Sequence, residues 1–444
     1  MRNSAPTSSL ARTDAASATQ PERGVPSADL PDEELLEIVQ RETFRFFWEG
    51  AHPTSGLAPD RRKRREEPSD DVVAIGGSGF GIMALVIAVE RGWVTREGAL
   101  ERLRHMLDAL RRATCFHGAF PHFLDARTGA AVPLINRKDD GGDLVETSLL
   151  VMGLITARQY FDRDTPAERA VRQRLTSLAE DVEWSWYTQE RKLLYWHWSP
   201  NNGWAMDHEI HGWNECLITY VLAAGSKRYG IDPLVYHRGF ASGRDFLNGR
   251  PYYGIELPLG QPYGGPLFFA HYSFCGLDPR GLKDVYADYW EQNVRHVRIH
   301  LAHCTANPGG HAGYGPDCWG LTASDDPSGY AGHSPAHDNG TISPTAALSS
   351  FPYAPREAMQ ALRHFLDRYG ERVWGRFGFV DAFCEARDWF AETFLAIDQG
   401  PIIVMIENHR TGLPWKLFMS APEVREGLRR LGFASPWLER APTG

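Results

Sequence analysis

Six almost uniformly apolar runs recur along the chain, each opening on a polar or acidic cluster and each led in by a loop. The openings are Gly76-Gly-Ser-Gly-Phe80, Asp143-Leu-Val-Glu146, His211-Gly-Trp-Asn-Glu215, His271-Tyr-Ser-Phe274, Asp338-Asn-Gly-Thr341 and Ile397-Asp-Gln-Gly400. The runs that follow Glu146, Glu215 and Asp398 resemble one another. A run apolar on every face suits a helix buried on all sides, whereas the segments between these runs keep one wet face. The alternation predicts inner helices over 77–91, 143–160, 212–228, 264–275, 340–350 and 389–408. Outer helices are expected over 96–113, 166–187, 232–247, 281–303, 355–370 and 415–431, after a first amphipathic helix at 32–49. An all-α, single-domain (α/α)6 barrel follows from this repeat. Gly400-Pro401 falls inside the sixth inner run, so that helix is expected to begin properly there, Pro being suited to a first turn.

Loop lengths sort by direction. Links from inner to outer helices are short, such as 92–95 and 161–165, while those from outer to inner are long: 114–142, 188–211, 248–263, 304–339 and 371–388. All the long loops lead into inner-helix N-termini and therefore crowd one rim, where a rigid scaffold usually carries its function. They hold Phe120, His122, Trp198, Trp204, Tyr263 and Trp319, with Trp213, His271, Tyr272 and Asp338 at the helix mouths. The expectation is one aromatic-walled pocket with acids at its floor.

At 444 residues the chain exceeds the usual size of a single core, yet no linker interrupts 33–435. A ring of helices resolves this, because it gains circumference without thickening. The barrel is placed at 32–444, behind a tail at 1–31 whose Ala, Ser, Thr and Pro content predicts disorder. That tail lacks the apolar stretch of an export signal, and no run is long enough to span a bilayer. Six cysteines without a CxxC pair read as free thiols, mostly buried, so a cytoplasmic location is expected. A net charge of −9 disfavours nucleic acid and anionic membranes as partners. Arg61–Arg65 is followed at once by Glu66 and Glu67, so it reads as a solvated loop. The 14 Trp, 16 Tyr and 22 Phe leave a neutral polymer attractive, since aromatic faces stack on sugar rings.

Glycosidic hydrolysis needs one protonated carboxyl for the leaving oxygen and one carboxylate to activate water or attack carbon. Asp143, Glu146, Glu215 and Asp398 all sit at inner-helix mouths, and Asp143 and Glu146, three apart, share one helical face. Capping alone would explain Asp143. Glu215 heads a run too apolar to tolerate an unpaired charge cheaply. A helix N-terminus lowers a carboxyl pKa while a general acid needs it raised, so burial beside Trp213 and neighbouring carboxylates must outweigh the dipole. His333, His337 and Asp338 match no strong metal pattern, Gly76–Gly81 lacks the βαβ setting of a dinucleotide site, and Gly-x-Ser-x-Gly is absent. Neither a metal nor a dinucleotide is expected from these residues.

GAFPHFLD, GGDLVETSLLVMGLITARQYF, HGWNECLITYVLAAGS, GPLFFAHYSF, WGLTASDDPSGY, DNGTISPTAALSSFPYAP and LAIDQGPIIVMIENHRTG together resemble the glycoamylase-like domain, and within it glycoside hydrolase family 144, the bacterial β-1,2-glucanases. The resemblance spans roughly 33–431 and implies an (α/α)6 barrel that hydrolyses β-1,2-glucan with inversion, without a cofactor. It implies Glu215 as general acid, with Asp143, Glu146 or Asp398 activating water, and the D-L-V-E-T form leans towards endo action. The family's usual Y-N-E is W-N-E at Trp213–Glu215. An exo-acting hydrolase releasing disaccharides or a transglycosylase is the alternative within enzymes, and a non-catalytic glucan-binding protein is the alternative outside them.

Overall fold

The computed structural model describes residues 24–65, 71–243 and 245–439. Its inner ring begins with α2 (Ile75–Glu90), α4 (Leu144–Tyr160) and α6 (Leu217–Gly225) and closes through α9 (Pro344–Leu348) and α11 (Ala396–Arg410). α2 packs between α4 and α11, α4 against α6, and α11 against α9. In α2 every residue from Ile75 to Ala88 is buried, as its all-round apolar sequence requires. α2 and α4 approach at backbone contact through Gly79 and Gly153: a Cβ on Gly153 would lie 2.2 Å from the Gly79 carbonyl oxygen.

The outer ring holds α1 (Asp32–Trp48), α3 (Arg96–Arg112), α5 (Pro166–Glu180), α8 (Tyr289–Ala306) and α10 (Pro355–His364). α3 shows the one-sided pattern, burying Ala99, Leu103, Met106, Leu107 and Leu110, and starts where the Thr95 side chain accepts the Gly98 N–H. The third outer helix, expected over 232–247, is only α7 (Pro233–Val235) continued by a π turn at Tyr236–Phe240. Beyond it, Leu247–Tyr252 and Ile255–Leu259 form an antiparallel hairpin.

Four further expectations are corrected. The fourth inner element is a pair of 3-10 turns, Leu267–Ala270 and Ser273–Cys275, which still complete the ring because Tyr353 donates to the Ala270 carbonyl and the His271 ring meets Ser350 Oγ at 3.0 Å. The sixth inner helix starts at Ala396, so Pro401 lies in its second turn rather than its first. Residues 413–430 are two helices, α12 (Leu413–Ser420) and α13 (Pro422–Arg430); α12 touches α2, α4 and α11 together and α13 packs on α6, so they close the ring's far end instead of adding an outer helix. Finally, residues 24–31 of the expected tail belong to the fold. Val25, Ala28 and Leu30 pack on the core, and Arg363 donates to the Ala28 and Leu30 carbonyls. Residues 1–23 lie outside the described residues.

The long loops lead into the inner helices as expected, and they are stiffened by short two-stranded ladders. Among the described residues no helix is long and apolar enough to cross a membrane.

Candidate active site

Strand pairing fixes the first group of acids. Gly142–Asp143 pairs with His197–Trp198, and Val72–Ala74 pairs with Phe123–Asp125, which brings the starts of α2 and α4 and the His122 loop together. Asp143 caps α4: its Oδ1 accepts from the Val145 and Glu146 N–H groups at 3.0 and 2.9 Å. Its Oδ2 lies 3.1 Å from His122 Nδ1 and accepts the Trp196 indole N–H at 3.0 Å. Four neighbours thus occupy this carboxylate. Glu146 Oε2 accepts the Gly76 N–H at 2.7 Å, and its Oε1 lies 3.7 Å from His122 Nε2.

The electrostatics follow from this packing. Burial works against a charge on His122, but Glu146, Asp143 and Asp139 outweigh it and hold the imidazolium up to about 10. Burial pushes Glu146 up to about 7, with the His122 charge opposing and Asp143 adding to the rise. Glu215 stands two residues before α6, outside the helix proper. Burial and the charges of Glu146 and Asp143 push its carboxyl up to about 7, against a hydrogen bond from its own N–H. The conflict between helix dipole and general acid therefore does not arise in its expected form.

A second acid group lies at the mouth of α11. Asp398 is 1 % exposed, and its Oδ2 has no conventional hydrogen-bond donor among the described residues. It is held well above the carboxylate range by burial and by Asp381, with Asp325 and Asp60 adding to the effect. Arg61 faces these acids, its Nε 3.0 Å from Asp60 and its Nη1 3.3 Å from Asp325. Arg61–Lys63 is a strand paired with Thr393–Leu395, so the expected solvated loop is at its start an ordered part of the rim.

Tyr272 joins the two groups, since its buried hydroxyl feels Asp398, Glu215 and Glu146 together and is pushed well above its ordinary range. Tyr330, on the hairpin Ala323–Asp326 and Gly329–Gly332, is 53 % exposed yet senses Asp398, Asp381 and Asp60. All four predicted acids are thus brought to one rim.

The Glycoamylase family model matches residues 207–422. An endo-β-1,2-glucanase from Chitinophaga pinensis, solved with sophorotriose and glucose, is 49% identical with a TM-score of 0.89, over 92% of this chain and 100% of that one. The chain belongs to the glycoamylase-like family. Its curated relative from Parabacteroides distasonis, an exo β-1,2-glucooligosaccharide sophorohydrolase acting at the non-reducing end, is 46% identical over 423 residues, or 90% of this chain. The chain spans 58% of that relative's length. A solved β-1,2-glucanase from the same organism is 45% identical with a TM-score of 0.88, over 91% of this chain and 60% of that one.

Within this glycoamylase-like barrel the remaining predicted residues divide. His122 and Tyr272 meet the acids. Phe120 is buried beneath them, its N–H donating to Thr147 Oγ1 at 2.8 Å. Trp213 is core, packed among Phe240, Phe246, Phe274 and Tyr289. Trp319 and His271 are likewise buried, so these three offer no sugar a face. Trp198 and Trp204 pack on Trp186 in one aromatic cluster of the rim wall. Tyr263 packs on Tyr252 of the Leu247–Leu259 hairpin, with ring centres 4.4 Å apart and the rings tilted by 40°. Asp338 clips a loop, bound by His303 at 2.8 Å and Tyr314 at 2.7 Å. Among the described residues no group of three or more His, Cys, Asp or Glu side chains is arranged to hold a metal ion.

Sequence reasoning did not single out Trp196, Tyr330, Asp381 or Arg61. Trp196 lies inside the aromatic run Tyr195–Trp198, where strand pairing rather than composition selects the ring that reaches Asp143. Asp381 sits in a loop with no neighbouring motif and gives no sequence signal.

Proposed function

We propose that this protein is an inverting, endo-acting hydrolase of β-1,2-glucan. Glu215 gives its proton to the glycosidic oxygen as the bond to C1 breaks, and a water activated by Asp398 attacks C1 from the opposite face. The observation that carries the reading is Glu215 itself. It is a buried carboxyl, raised to about 7 by burial and two neighbouring acids in spite of a hydrogen bond from its own N–H. A general acid works best with its pKa near the working pH.

Asp398 is assigned the base because the alternatives are occupied. Asp143 is committed to a helix cap, His122 and Trp196, and Glu146 to Gly76 and His122. The charges of these two acids help keep Glu215 protonated, and His122 holds the two in place. Likeness across the whole of the Chitinophaga endo-glucanase supports both the substrate and endo action. The second reading, exo release of sophorose, is favoured by the likeness to the Parabacteroides sophorohydrolase.

Incubation with linear β-1,2-glucan, with products resolved by size and anomer, tests both. A ladder of α-anomeric oligosaccharides is expected. A single disaccharide from the outset moves the reading to exo action, and full activity of Glu215→Gln overturns the acid.

A further inference from the structure

Asp381 and Asp398 are each 1 % exposed, and each presents one oxygen, Asp381 Oδ1 and Asp398 Oδ2, with no conventional donor among the described residues. The two side chains are within hydrogen-bonding reach of each other. Two carboxylates repel, and each buried bare oxygen would keep its full desolvation cost. A proton between them removes both penalties. The rest of Asp381 is fixed: its Oδ2 accepts the Asp325 N–H at 2.6 Å. Asp325 is held in turn by Thr393 Oγ1 at 2.5 Å and Arg61 at 3.3 Å. That backbone donor favours the anion on Asp381 and so leaves the proton on Asp398.

We propose that Asp381 is a positioning residue that shares one proton with Asp398, so that the two carboxyls work as a single base. This rests on the assignment of Asp398 made above. Water gives one proton to Asp398 Oδ1, and the proton already shared through Asp398 Oδ2 moves to Asp381 Oδ1. The water oxygen bonds to C1 while the C1–O electron pair leaves on the glycosidic oxygen, which takes the Glu215 proton. The pair goes from one proton to two, Glu215 from one to none, and solvent exchange restores both. The groups facing the pair are Asp60 and Arg61 at the first rim strand, Asp325 and Tyr330 on the neighbouring hairpin, and Tyr272 from the inner ring. Burial and Asp325 raise Asp381 to about 7, which matches a base working near neutrality.

Asp381→Asn separates this from a merely structural role. Its amide oxygen still accepts the Asp325 N–H, while its NH2 donates to Asp398 and leaves that carboxylate ionised without a shared proton. The expected result is a kcat about 10²-fold lower with KM little changed, and the acidic limb of the kcat–pH profile moved to lower pH. Unchanged kcat and an unchanged limb overturn the proposal. A readout that needs no substrate is the infrared carbonyl band of a protonated carboxyl at neutral pH. It is expected to weaken by one group in Asp381→Asn and equally in Asp398→Asn. A band unchanged in either variant overturns the shared proton even if no glucan is cleaved. If Asp381→Asn fails to fold, wild type against Asp398→Asn decides by the same band.

Discussion

The Gly76 N–H donates to Glu146 Oε2 at 2.7 Å, so the first turn of α2 holds an acid that belongs to α4. The contact requires a bare Cα, because a Cβ at residue 76 would lie 2.5 Å from that same oxygen. Gly76→Ala is therefore expected to keep the fold while displacing Glu146, lowering kcat by about tenfold and stability by about 1–3 kcal/mol. Gly79→Ala places its Cβ 2.3 Å from the Leu149 carbonyl oxygen, which is backbone and does not yield. Thermal unfolding of the two variants is expected to show the larger Tm loss for Gly79→Ala. The reverse order would contradict the packing described for α2 and α4.

Trp196→Phe keeps an aromatic wall but removes the indole donor from Asp143. A hydrogen bond to a charged group contributes about 1.5–3 kcal/mol. The expected outcome is a loss of that order in denaturant unfolding and a lower kcat, because the Asp143–His122 pair beneath Glu146 loses its alignment. Trp198→Phe, in the lateral cluster, is expected to leave kcat nearly unchanged.

Glu215 gives a prediction with a definite sign. Its folded pKa of about 7 exceeds its ordinary value of 4.5, so the folded state binds the proton more tightly. The resulting stability penalty is absent below pH 4.5 and fully present above pH 7. Glu215→Gln is therefore expected to melt above wild type at pH 8, by an amount on the order of 1–3 kcal/mol, and to converge on it at pH 4.5. Equal Tm values at both pH extremes would remove the buried charge from the account of this acid.

The parts of the fold legible in sequence are those where periodicity has room to speak. α2, α4 and α11 are long and apolar on every side, and α3 and α5 are long and one-sided. From 212 to 275 the pattern is less telling, because the same apolar composition serves shorter elements there. The helical pattern expected over 232–247 ends at Phe240, and Gly243, whose φ of 84 suits glycine, turns the chain ahead of a hairpin. The Gly264 and Gly265 backbones are also left-handed, and Pro266 follows, so GPLFFAHYSF folds as 3-10 turns rather than one helix. Acids were easier to find than aromatics. A carboxylate at the head of an apolar run must have a reason, whereas a tryptophan is equally at home in the core, where Trp213 and Trp319 lie.

Ser273 carries a consequence beyond its own turn. Its hydroxyl donates to the Glu215 carbonyl and accepts the Ile218 N–H at 2.9 Å, and so splices the fourth inner element onto the third. The backbone of the acid is thus set by a side chain from the next repeat along the ring. The repeats around the ring look like interchangeable modules but are not: a segment exchanged with a homologue and cut within the rim loop between these two would separate Glu215 from its anchor. Recombination that respects this molecule has to keep the third and fourth repeats together and make its joins on the short-loop face.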